Sequence, residues 1–165
     1  MNKKAFWFGL FIFLASAFCL APKAAAFEGH SLLNSLKPFY TDGCTLFIDG
    51  PSSKPGLWRH CCVEHDLRYW FGGDRDDAHQ ANLQLGACVK SVAGTLWGQI
   101  IYRGVEMGRY SPVKHPTHWG WGWEMARGSG KLDYDESVYV IEQLRKTSVD
   151  QILVEEFIHR NFPGI

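Results

Sequence analysis

Charged and apolar residues divide this chain into unlike stretches, beginning at its amino terminus. After Lys3 and Lys4, Ala5 to Ala21 carries no charge; Pro22 ends the run, and Ala24, Ala25 and Ala26 follow. Basic, apolar, small is the order of a secretory signal peptide, so residues 1–26 are predicted as a leader cleaved after Ala26. Ala15-Ser16-Ala17 offers a second cut. A retained membrane anchor is the alternative reading, but a 17-residue run is at the short limit for spanning.

Beyond it, periodicity and punctuation predict helices. Ser31 to Leu36 reads as a short amphipathic helix ending before Pro38. Tyr40 to Pro55, with Asp42-Gly43 and Asp49-Gly50-Pro51, reads as a structured loop. Leu57 to Trp70 contains neither Gly nor Pro and is expected to be helical until Gly72-Gly73. Asp74, Asp76 and Asp77 suit the start of a second helix, where acids complement the dipole. That helix carries Ala81, Leu85 and Cys88 on one face and is expected to reach about Val92. Val92 to Met107 is expected to continue as helix, weakened by Gly94, Gly98 and Gly104. His115 to Gly130, rich in Gly and Trp, reads as an ordered loop or small hairpin. Asp133 with Glu136 forms a capping-box pattern for a helix to about Lys146, and Ser148 with Gln151 repeats the signal. The expected fold is mostly α, as one domain over residues 27–165.

Composition narrows the function. With 17 Lys+Arg against 17 Asp+Glu, no basic excess is available to neutralise phosphates, which argues against nucleic acid as a partner. Removing the leader takes Lys3, Lys4 and Lys23 and no acid, leaving 14 basic against 17 acidic residues. It also removes Cys19, leaving Cys44, Cys61, Cys62 and Cys88. An even number in an exported chain predicts two disulfides, with three connectivities open.

The chemistry-bearing residues cluster between Asp42 and Cys88. On the first long helix, Cys61 and His65 lie four apart, as do Cys62 and Asp66, and His65 and Tyr69. One helix can thus be stapled by its first turn and present an imidazole and a carboxylate from its second. Cys-Cys-x-x-His-Asp-x-x-Tyr, from Cys61 to Tyr69, resembles the active-site helix of secreted phospholipase A2. Thr41-Asp42-Gly43-Cys44, followed by Asp49-Gly50-Pro51, is similar to the calcium loop of that family's bacterial and fungal branch. The resemblance covers roughly residues 40–90.

The resemblance implies a small disulfide-stapled fold built on two antiparallel helices with a calcium loop. It implies that His65 activates water, and that Asp42, the Gly43 carbonyl and Asp66 hold Ca2+. It pairs Cys44 with Cys62 and Cys61 with Cys88. The expected activity is hydrolysis of glycerophospholipid acyl esters at a membrane surface, by a peripheral protein that is secreted or periplasmic. Two positions depart from the family pattern. Arg68 stands where many animal members have another cysteine. Asn82 stands six residues before Cys88, where the family usually has the aspartate that orients the histidine. Asn82 is therefore expected to face His65, and Asn82→Asp to raise the rate of hydrolysis or shift its pH dependence.

Elementary chemistry supports the same set of residues. Ester hydrolysis by water needs a base near neutral pH, which histidine supplies, and positive charge where the carbonyl oxygen becomes negative. A cation held by carboxylates and carbonyls supplies that charge. No Gly-x-Ser-x-Gly elbow occurs in the chain, which weighs against a serine esterase.

The competing readings are specific. A non-catalytic lipid- or protein-binding module on the same scaffold is the functional alternative, supported by Asn82. Zinc held by Cys61, Cys62, His65 and Cys88 is the metal alternative, disfavoured by an oxidising compartment. Tyr69 reads as packing, with a hydroxyl available to the polar network. Trp119, Trp121 and Trp123 read as packing first and as a bilayer-interface anchor second. His60, His115 and His118 read as surface or packing residues. Arg127 and Lys131 are the cations available to a phosphate headgroup.

Overall fold

The structure is a computed structural model and describes residues 34–112 and 115–165. The leader and the first half of the Ser31–Leu36 segment lie outside the described residues. Leu36 itself is not helical: it makes an isolated antiparallel bridge to Trp123. Five helices form, α1 (Arg59–Phe71), α2 (Arg75–Ala93), α3 (Thr95–Arg109), α4 (Tyr134–Leu144) and α5 (Gln151–Asn161). Among the described residues no helix is long and apolar enough to cross a membrane.

The boundaries follow local chemistry. Asp74 caps α2 by accepting from the Asp77 amide, while the Asp77 carboxylate accepts from the Asp74 amide. Asp133 and Glu136 do the same for α4. Two expectations need correction. Helix α3 does not continue α2, because Gly94 adopts φ +89°, a left-handed conformation that breaks the run and lets α3 fold back. The cap of α5 is Asp150 rather than Ser148; its carboxylate accepts from the amides of Ile152 and Leu153.

Cross-helix contacts give the packing directions. Cys61–Cys88, His65–Asn82 and Arg68–Asp77 run in opposite senses along α1 and α2, so the pair is antiparallel. Helix α3 returns along α2 at close range: a Cβ on Gly98 would fall 2.6 Å from the Gly86 carbonyl oxygen. Trp58, Cys61, Cys62, Leu85, Val89 and Ile101 form the core of this three-helix part. A second core joins the other side of α1 to α4 and α5 through Leu67, Trp70, Phe71, Val140, Leu144 and Phe157.

The Trp-Gly-Trp-Gly-Trp segment belongs to the scaffold. Trp121 and Trp123 are buried, and Trp119 is half-buried. The amides of Gly120 and Gly122 donate to the carbonyls of Tyr69 and Trp70, and the indoles of Trp123 and Trp119 donate to those of Phe71 and Gly73. Carbonyls left without helical partners at the end of α1 are thereby satisfied by an ordered strap, not a hairpin. A Cβ on Gly122 would collide with Trp70, which explains the small residue between two tryptophans.

Candidate functional site

Both disulfides are present, Cys44–Cys62 and Cys61–Cys88, with Cα separations of 5.0 and 5.7 Å. Adjacent residues of α1 are thus tied in two directions, one to the loop before it and one to α2. Each closure stabilises by about 3 kcal/mol in the chain-entropy view. With all four sulfurs oxidised, no thiolate remains for zinc, so the zinc alternative is withdrawn. The same holds for His60, Cys61 and Cys88, which lie close together only because His60 borders the Cys61–Cys88 bridge.

His65 sits one turn after Cys61, nearly buried, with its two ring nitrogens in different surroundings. Nε2 lies 2.9 Å from Oδ1 of Asn82, and Nδ1 lies 3.9 Å from Oδ1 of Asp66. Asn82 is fully buried on α2, and its oxygen also accepts from the Tyr69 hydroxyl at 2.9 Å. Burial raises the Tyr69 pKa, so this hydroxyl stays protonated and able to donate. The Tyr69 ring packs 4.3 Å from His65, centroid to centroid, and edge-on against Trp119.

The loop before α1 is organised around Asp49 and Thr41. Asp49 accepts from the Cys44 amide and pairs with Arg59, whose guanidinium also donates to the Asp42 carbonyl. The Thr41 hydroxyl donates to Oδ2 of Asp66 at 2.6 Å and accepts from the Gly43 amide, joining the loop to α1 beside His65. Asp42 is exposed, its carboxylate accepting from Thr45, and Gly43 is buried. With Asp66, the loop offers the carboxylates of Asp42 and Asp66 and backbone carbonyls, all oxygen donors of the kind suited to a hard divalent cation. The hydrogen bonds of the two carboxylates run to Thr45 and Thr41 and not to each other. Beyond it, Leu46, Phe47 and Ile48 are exposed in succession, with Leu46 at a left-handed φ of +61° and 92% exposed.

Three residues of this site are missing from the sequence reading: Glu106, Arg109 and His79. The Asn82 amide donates to Oε2 of Glu106 at 2.8 Å, and Arg109 and His79 meet its Oε1. Burial alone would raise the Glu106 pKa. The hydrogen bonds from Asn82, Arg109 and His79, with the Arg109 charge, more than offset this and hold it below the usual carboxylate range. One signal was available: Glu106 is the single acid between Asp77 and Glu124, so an acid there stands out.

The remaining candidates are scaffold residues. Arg68 spans from α1 to Asp77 near the start of α2 and lies over the rings of Phe71 and Trp119. Arg127 is not available to a headgroup: it grips Glu136 with two nitrogens and donates to the carbonyls of Gly130 and Lys131. His115 and His118 are exposed, away from His65 in the contacts they make. A groove between α1 and α2, bordered by Phe157, has His65 on its wall but neither Asp42 nor Asp66. Comparison with protein-family models, with curated proteins and with solved structures finds no match for this chain.

Proposed function

We propose that this chain is an exported, calcium-dependent hydrolase of glycerophospholipid acyl esters, with a fold of the secreted phospholipase A2 type. One observation carries the proposal. His65 is held by Asn82 through Nε2 while Nδ1 lies beside Asp66, whose second oxygen is bound by Thr41 of the Asp-Gly-Cys loop. A base and the Asp66 carboxylate thus meet at one place, joined to a loop that a disulfide pins to the same helix.

Asp42, Asp66 and the Gly43 carbonyl would hold the cation. Calcium bound there supplies a Lewis acid toward the developing negative charge on the ester oxygen. His65 Nδ1 takes a proton from water as the water oxygen bonds to the ester carbonyl carbon. Collapse breaks the acyl carbon–oxygen bond, and His65 returns the proton to the glycerol oxygen. The products are a free fatty acid and a lysophospholipid. Leu46, Phe47 and Ile48, exposed on the loop, are the side chains suited to enter a lipid surface, in place of the buried Trp121 and Trp123.

A second reading, a non-catalytic lipid- or protein-binding module, is favoured by one observation: the group hydrogen-bonded to His65 is a neutral amide. Fatty-acid release from mixed phosphatidylcholine–phosphatidylglycerol vesicles separates the two. The hydrolase reading expects release with calcium, lost on chelation and in His65→Ala. Absence of release by the calcium-loaded wild type would leave the binding module.

A further inference from the structure

We infer that Glu106 is a positioning residue that sets which nitrogen of His65 carries the proton, acting through the buried carboxamide of Asn82. The inference deepens the hydrolase reading, since a water-activating base must be the bare Nδ1.

A carboxamide has two ends of nearly equal shape, one accepting and one donating. Fully buried, Asn82 is turned by its neighbours. The Tyr69 hydroxyl does not decide the matter, because it can donate to an oxygen or accept from an amine. Glu106 decides it. An ionised carboxylate only accepts, so the amine of Asn82 must face Oε2. The oxygen of Asn82 then faces His65 and can only accept, so the proton must sit on Nε2. Neutral His65 is left with a lone pair on Nδ1, the nitrogen beside Asp66. One carboxylate on α3 thereby sets the polarity of a chain crossing α2 to α1.

Both oxygens of Glu106 matter. Oε1 accepts from Arg109, a donor that cannot become an acceptor, and Oε2 accepts from Asn82. Glutamine at position 106 has a single acceptor for these two donors. The charged guanidinium forms the stronger bond and claims the oxygen. The glutamine amine would then face Asn82, which must turn over, present its own amine to His65 and move the imidazole proton to Nδ1.

Nitrogen-15 NMR of histidine-labelled full-length protein reads the tautomer directly at a pH where the imidazoles are neutral. His65 is expected to be protonated at Nε2 in the wild type and at Nδ1 in Glu106→Gln. In Glu106→Gln/Arg109→Met/His79→Phe, which removes both other donors at Oε1, the glutamine oxygen is free to return to Asn82, and the Nε2 form should return with it. On vesicles, Glu106→Gln should lower kcat by about 100-fold, the order of a lost general base, with KM unchanged. An Nε2-protonated His65 in Glu106→Gln overturns the inference, as does a wild type protonated at Nδ1. The tautomer requires neither calcium nor lipid, so a wild type without hydrolase activity would overturn the hydrolase reading and leave this result standing.

Discussion

Asn82 illustrates how one neighbour changes the expected effect of a substitution. Considered against His65 alone, Asn82→Asp supplies the charge that an amide lacks and should help the imidazolium form. With Glu106 at 2.8 Å, it instead brings two carboxylates together at a fully buried position. Like charges at that distance cannot both ionise comfortably. The single variant is expected to be destabilised, whereas Asn82→Asp/Glu106→Gln restores complementarity. The glutamine oxygen then serves Arg109 and its amine serves Asp at position 82. A double-mutant cycle in urea should show a favourable coupling of about 1–3 kcal/mol.

Glu106 also predicts a pH dependence. Its folded pKa is depressed, so its contribution to stability is present above the unfolded carboxylate value of about 4.3 and is lost as pH falls through the lower folded value. The groups facing it are Arg109 on its own helix and Asn82 and His79 on α2, with Tyr69 of α1 behind Asn82. Glu106→Gln should therefore flatten the acid side of a stability–pH curve measured by urea unfolding. Near neutrality, calorimetry tests the cation ligands: Asp66→Asn should weaken calcium binding sharply. Thr41→Val should weaken it less, since Thr41 holds the carboxylate without offering it charge. Equal affinity in Asp66→Asn and the wild type would refute the ligand assignment.

The helices show why some of this was legible in the sequence and some was not. His65, Asp66, Tyr69 and the two cysteines lie on α1, where a fixed period places them on known faces. The acids before α2 and α4 mark their own caps, because a capping box needs only four consecutive residues. Glu106 meets Asn82 from 24 residues away, and that meeting depends on Gly94 turning the chain by a left-handed conformation. Read as one continuous helix, α2 and α3 never bring these residues together. Asp150 lost to Ser148 for a related reason: both are good caps, and only the packing of Val154 and Phe157 fixes where α5 begins.

Across the molecule, α1 is the shared wall of two cores, with the tryptophan strap closing its end. Damage to the strap should therefore be felt at the site as well as in stability. Gly122→Ala, forced against Trp70, is expected to cost about 1–3 kcal/mol, read from urea unfolding. Removing the Cys61–Cys88 bridge by double serine substitution should cost about 3 kcal/mol and loosen α2 from His65. The exposed Leu46–Ile48 rim should behave differently. Leu46→Ser/Ile48→Ser is expected to leave stability unchanged and to weaken sedimentation with lipid vesicles.

The neighbouring cysteines of α1 also set a problem for the chain while it is being made. Cys61 and Cys62 are adjacent, yet their native partners lie on different elements, Cys88 on α2 and Cys44 on the loop before α1. In a chain without structure, Cys44 can reach either of them almost equally well, since the loops differ by one residue. Only once α1 has coiled, turning successive side chains apart by about 100°, does each thiol face its own partner. Oxidation that outruns helix formation should trap Cys44–Cys61, and escape from that trap proceeds by attack of the adjacent Cys62 thiolate. Refolding from the reduced state should therefore yield native pairing slowly in oxidised buffer alone and faster with a thiol shuffling reagent. Acid-quenched peptide maps at early times would identify the non-native bridge.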